Sequence, residues 1–192
     1  MPTSLTGYDA VPPLGSERTT RFPAAEQVLE EGRAYRALIT TNKGDIVVDL
    51  HQTEAPATVN NFVVLAREGL YDGVVFHRVI PGFMVQGGDP TGTGTGGPGY
   101  RFADELDAAH RRGYRMGTLA MAHAGPDTNG SQFFITHQDV GLPPQYAVFG
   151  TAVEGLEVVD AIATTETDRR DRPVENVVIE TVAIREDDPD EG

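Results

Sequence analysis

Arg78 and Gln86 stand among apolar neighbours, in Phe76-His77-Arg78-Val79-Ile80 and Phe83-Met84-Val85-Gln86. A Pro81-Gly82 turn separates the two runs. Alternate side chains of a strand share a face. Phe76, Arg78 and Ile80 are therefore expected to point one way, and Met84 and Gln86 to share a face on the next strand. In Gly130-Ser131-Gln132-Phe133-Phe134-Ile135-Thr136, Gln132 and Phe134 alternate onto one face in the same manner. Arginine stays protonated at working pH and presents a fork of donors. On an apolar surface such a cation can stabilise a lone pair or a developing negative charge without moving a proton. The competing reading of Arg78 is a cation at a solvated strand edge. That of Phe83, Met84 and Phe134 is plain core packing.

Other chemistries lack their parts. There is no cysteine, hence no disulfide framework, thiol nucleophile or thiolate metal site. His51, His77, His110, His123 and His137 show no metal-ligand spacing. Ser131 is in no nucleophile elbow. The glycine-rich run TGTGTGGPG at 91–99 lacks the Gly-Lys-Ser/Thr ending of a phosphate loop and opens no helix, so it reads as a flexible surface loop.

FHRVIPGFMVQGGD at 76–89 and MAHAGPDTNGSQFFIT at 121–136 resemble the cyclophilin family of peptidyl-prolyl cis-trans isomerases, and the resemblance extends from about Tyr35 to Arg185. It implies a mainly β fold: a closed eight-stranded antiparallel β-barrel capped by two α-helices, with the substrate groove on the outer face where Arg78 points. It implies catalysed rotation about X-Pro peptide bonds during protein folding, with Arg78 as the catalytic residue and Gln86 holding its guanidinium. Phe83, Met84, Phe134 and Leu142 would form a pocket for the proline ring. Tyr146 would close one wall. Gln132 and the backbone of Ala122 and His123 would bind the peptide main chain. The expected partners are proline-containing peptides and unfolded proteins, with no cofactor and no metal. The alternative is a proline-peptide binding module or chaperone with incidental turnover.

Three departures from the family pattern stand out. His123 occupies a position that is often Asn, and it brings a group that titrates near neutrality. Tyr146 occupies a position that is His in many eukaryotic members. The protein has no tryptophan, whereas many members place one just before the residue matching Leu142. Here the loop reads His137-Gln138-Asp139-Val140-Gly141-Leu142-Pro143-Pro144 and is about one residue shorter. Because that Trp grips cyclosporin in the family, weak cyclosporin binding is expected.

A chain of 192 residues with 39% hydrophobic and 23% charged residues fits one soluble domain with a substantial core. Its longest apolar runs are too short to span a membrane. The N-terminus lacks the basic and apolar regions of a secretory signal, so a cytoplasmic monomer is the expectation. A net charge of −14 disfavours nucleic acid. Lys43 is the only lysine. The arginine bias and acid excess fit either a high-GC genome with a surface charged for solubility or a halophile's acidic surface.

The elements that must carry these residues follow from periodicity. Residues 1–33 are read as a proline-bearing arm and a short helix at Ala24–Glu31 ended by Gly32, an addition to the minimal family domain. The domain spans 34–186, and 187–192 form an acidic disordered tail. Ala34–Thr40 and Asp45–Leu50 flank Asn42-Lys43-Gly44 as a hairpin. Pro56 to Gly69 reads as a helix whose Val59, Phe62, Val63, Ala66 and Leu70 form one stripe. Thr118–Met121, Phe133–Thr136, Ala147–Thr151 and Val177–Arg185 read as strands, and Gly155–Ala163 as a helix. Pattern alone allows a sandwich or a barrel.

Overall fold

The computed structural model describes Tyr8 and residues 19–187. Most of the expected arm, and the acidic tail beyond Asp187, lie outside the described residues. The described residues form one curled antiparallel sheet of nine strands with three helices. In chain order these are β1 (Ala34–Thr41), β2 (Gly44–Leu50), α1 (Pro56–Arg67), β3 (Val74–Val75), β4 (Arg78–Ile80), β5 (Met84–Gly87), α2 (Asp107–Arg112), β6 (Thr118–Met121), β7 (Phe133–Thr136), β8 (Val148–Glu154), α3 (Leu156–Ala163) and β9 (Val178–Asp187). The strand order is β3-β9-β1-β2-β8-β6-β7-β5-β4.

The expected closed barrel of eight strands and two helices needs correction here. Among the described residues no ladder joins edge strands β3 and β4, which are linked only by Phe76 and His77. The run from Val74 to Ile80 leaves β9 after Val75 and joins β5 from Arg78. At the crossing the Phe76 N–H donates to Val177 O and the Val79 N–H to Asp171 O, at 2.9 and 2.8 Å. The pleat restarts there, so Phe76 does not share a face with Arg78. It turns inward, 1% exposed, and meets Phe133 edge to face at 6.4 Å.

Inside the curl, Ile39, Val48, Phe62, Val85, Phe133, Ile135 and Phe149 pack with α1 and α3 into the main core. α1 begins at Pro56, whose missing N–H suits the first turn, and has no side-chain cap of its own. Glu105 supplies one from a distance. Its carboxylate accepts from the Thr58 N–H and Oγ1, both at 2.7 Å, and from the Ala57 N–H. Gly69, at φ +70°, turns the chain out of the helix.

The helix expected at Ala24–Glu31 is not formed. Asn60 of α1 accepts from the N–H groups of Val28 and Leu29 and donates to Glu26 O. Tyr35 accepts from the Glu30 N–H. These tertiary bonds take the backbone groups a local helix would need, and Val28 and Leu29 pack on the main core.

Candidate active site

The outer face of the same strands carries a second hydrophobic cluster. Met84, Ala120, Phe134 and Val148 point outward between the inward residues Val85, Leu119, Phe133 and Phe149. Cross-strand register sets the polar groups beside them. Arg78 lies opposite Gln86, Gln86 opposite Phe134, and Phe134 opposite Ala120, so one row crosses four strands.

A hollow of about 200 Å³ opens above this row. Met84 and Phe134 are buried in its floor, and Phe83 and Leu142 are partly buried at its sides. Tyr146 stands edge-on to Phe134 at 5.6 Å and stacks on His123 at 4.8 Å. Arg78, Gln86 and Ala122 complete the lining. Nine of the ten residues named from the sequence thus meet at one hollow. Gln132, the tenth, lines a wider recess that shares Gln86, Ala122 and His123 with it.

Arg78 is solvent-exposed and has no ion pair among the described residues. Gln86 donates through Nε2 to Gln132 Oε1 at 3.1 Å and makes no side-chain hydrogen bond with Arg78 among the described residues. Gln132 in turn donates to the carbonyls of Gly94 and Gly96, both at 3.0 Å. Its amide therefore brackets the glycine-rich loop to the sheet. The Ala122 N–H donates to Gln132 O. The Ala122 carbonyl and the His123 N–H have no hydrogen bond within the described residues. The His123 ring is fixed at both nitrogens: Nε2 lies 2.7 Å from Gln145 O, and Nδ1 accepts from the Gly125 N–H.

Two supports were not foreseen. Tyr114, beneath Phe134, donates to Tyr146 O at 2.9 Å and accepts from the Tyr146 N–H at 3.0 Å, which fixes that wall. Burial raises its hydroxyl pKa, despite backbone bonds from Tyr146 and Gln145 that lower it, so it stays a neutral donor. No local signal marks a bond spanning 32 residues. Asp89 is the second. It is fully buried, and its carboxylate accepts from the N–H groups of Thr91, Gly94 and Gly96 at 2.7, 2.6 and 3.0 Å and from Thr91 Oγ1. A Cβ on Gly96 would fall 2.1 Å from Asp89 Oδ1, so only glycine fits there. Burial pushes this carboxyl up, but the bonds from Gly96, Thr91 and Gly94 outweigh it and hold the pKa below 3.8. The loop's anion cradle is filled from within. Asp-Pro-Thr before a glycine run was a usable turn signal.

The family model described as "Cyclophilin type peptidyl-prolyl cis-trans isomerase/CLD" matches residues 36–184. The chain belongs to the cyclophilin family. It is 50% identical over 169 residues to peptidyl-prolyl cis-trans isomerase B of Streptomyces anulatus, covering 77% of this chain and 95% of that protein. It is also 50% identical over 171 residues to a probable peptidyl-prolyl cis-trans isomerase A of Mycobacterium leprae, covering 77% of this chain and 91% of that one. Among solved structures, a Cryptosporidium parvum cyclophilin determined in the presence of the dipeptide Ala-Pro matches with a TM-score of 0.75 and 38% identity, covering 78% of this chain and 98% of its own. The family match takes in most of the sheet, from Arg36 in β1 to Ile184 in β9. No helix among the described residues is long and apolar enough to cross a membrane.

Proposed function

We propose that this cyclophilin accelerates cis-trans rotation about X-Pro peptide bonds in unfolded or partly folded proteins, through Arg78 acting on the twisted bond. The observation that carries the reading is an arginine with no ion pair among the described residues, beside a proline-sized apolar hollow and in register with Gln86 and Phe134.

Rotation breaks no covalent bond. Its barrier is about 18–20 kcal/mol because amide resonance must be lost. A catalyst need only hold the twisted bond better than either planar isomer. Twisting leaves a lone pair on the proline nitrogen, and a guanidinium can donate to it without titrating. Acceleration by ~10⁵ requires roughly 7 kcal/mol of such preference. Phe83, Met84, Phe134 and Leu142 would hold the ring, with Tyr146 as the far wall. The peptide itself would cover Arg78 and remove the water that surrounds it in the free protein, strengthening the interaction. The free Oε1 lone pair of Gln86 would then steady the guanidinium. The Ala122 carbonyl and His123 N–H are free to bind the peptide backbone, while Gln132 holds the adjoining loop in place.

NMR exchange on an Ala-Pro peptide tests this. Arg78→Ala should lower the rate about a hundredfold while peptide affinity and the unfolding midpoint stay near those of the parent protein. A parallel loss of rate and affinity would instead favour a binding module whose turnover is incidental.

A further inference from the structure

The turn between β4 and β5 is held by His137, a side chain that does not line the hollow. The Phe83 N–H donates to Ile80 O at 3.1 Å and Gly82 has φ +75°. With Pro81 before it, this matches a type II turn. In that turn and in its type I relative the central Pro81–Gly82 peptide faces opposite ways. The direction of the Gly82 N–H therefore records which one is adopted. Here that N–H donates to His137 Nδ1 at 2.8 Å. The neutral ring then carries its proton on Nε2, which lies 2.8 Å from Asp160 Oδ1 of α3. The His137 backbone N–H donates to Phe83 O at 2.9 Å. The histidine side chain is only 11% exposed, whereas Asp160 is 64% exposed. Both ring nitrogens are committed, so this ring is not a general base. Its place demands a group that accepts at one end and donates at the other.

We propose that His137, steadied by Asp160, is a positioning residue for proline isomerisation. It keeps the Pro81–Gly82 peptide in one orientation and so sets where Phe83 stands at the side of the hollow. The inference rests on the isomerase reading. Pro81 suits the second position of either turn type, so the turn alone does not choose between them. The bond from Gly82 makes that choice, and the bond to Phe83 O carries it to the residue that meets the proline ring. A small displacement of a group that holds substrate lowers the rate without any loss of fold. Through Asp160, the seat of Phe83 depends on α3, a helix that contributes no residue to the hollow.

The test compares full-chain variants on one Ala-Pro peptide, with NMR exchange at subsaturating peptide as the measure of kcat/KM. His137→Phe keeps the bulk of the ring and loses both ring bonds, and kcat/KM should fall about threefold to tenfold. His137→Gln keeps an acceptor and a donor and should fall less. Asp160→Ala, at an exposed site, should lower the rate by about twofold and leave the urea midpoint close to that of the parent protein. In a Phe83→Ala background, His137→Phe should change the rate by less than about twofold, because the side chain it places is gone. An equal loss in both backgrounds would assign the effect to general destabilisation and overturn the proposal. So would a His137→Phe rate equal to the parent's, or a larger loss for Gln than for Phe. Any of these results with a parent protein that turns the peptide over overturns this inference alone. Absence of turnover by the parent protein overturns the isomerase reading and the positioning role with it.

Discussion

The two hydrophobic clusters share their strands yet differ in what covers them. Phe133 faces inward and is fully buried among Phe62, Tyr71 and Phe76. Phe134, one residue later, faces outward and is covered by loops and by Tyr146. Period-two alternation turns one face of β5, β6 and β7 to the core and the other to the hollow proposed above for recognition. The inner cluster is sealed by α1 and α3. The outer one is left open over a proline-sized hollow. A sheet with two greasy faces can thus keep a rigid floor under a site that must stay accessible.

The contrast can be broken most severely at Phe133. Phe133→Ala removes a ring from a sealed, close-packed centre, and urea unfolding should show a loss of about 3–5 kcal/mol. A loss within error would mean the inner cluster does not hold the sheet. Phe134→Ala should cost less stability, about 1–2 kcal/mol, because the truncated site opens to solvent and leaves no sealed void. Its effect on Ala-Pro turnover should be larger than its effect on unfolding, and the reverse order would sink the division of faces.

A smaller effect is expected at the loop anchored by Asp89. Its carboxyl has a folded pKa below the ordinary value of 3.8. Its stabilising contribution is therefore complete above that ordinary value and is lost as pH falls through the lower folded one. Hydrogen exchange at the Gly94 and Gly96 amides should accelerate as pH drops below 3.8 once intrinsic rates are divided out. Exchange that is unchanged down to full protonation would show that the carboxylate does not hold the loop. The smallest effect is expected from cyclosporin. With no Trp beside Leu142, calorimetry should find weak binding, and a nanomolar dissociation constant would contradict the account of that shortened wall.

Much of the site was legible because alternation is a local property. Met84 could be placed with Gln86, and Gln132 with Phe134, from spacing, and α1 from its apolar stripe, Pro56 and Gly69; that the two pairs share one surface came from the resemblance. The face of Phe76 was misjudged because the pleat is interrupted where the chain changes partners, at bonds to Val177 and Asp171. The helix at Ala24–Glu31 was misjudged because Asn60 captures the same backbone groups from 32 residues away. α2 escaped notice because its six residues carry only Ala108 and Ala109 to the outer cluster. The commitment of Gln132 to Gly94 and Gly96 was illegible for a similar reason: residues remote in sequence decided what its amide could reach.

The carboxylate of Glu105 finishes a helix that starts at Pro56, a partner 47 residues downstream of Thr58. During synthesis that helix emerges long before its cap exists, so its first turn stays frayed until the later segment arrives. Completion of α1 is thereby tied to arrival of the middle of the chain, and a truncated product ending before Glu105 should lack that turn.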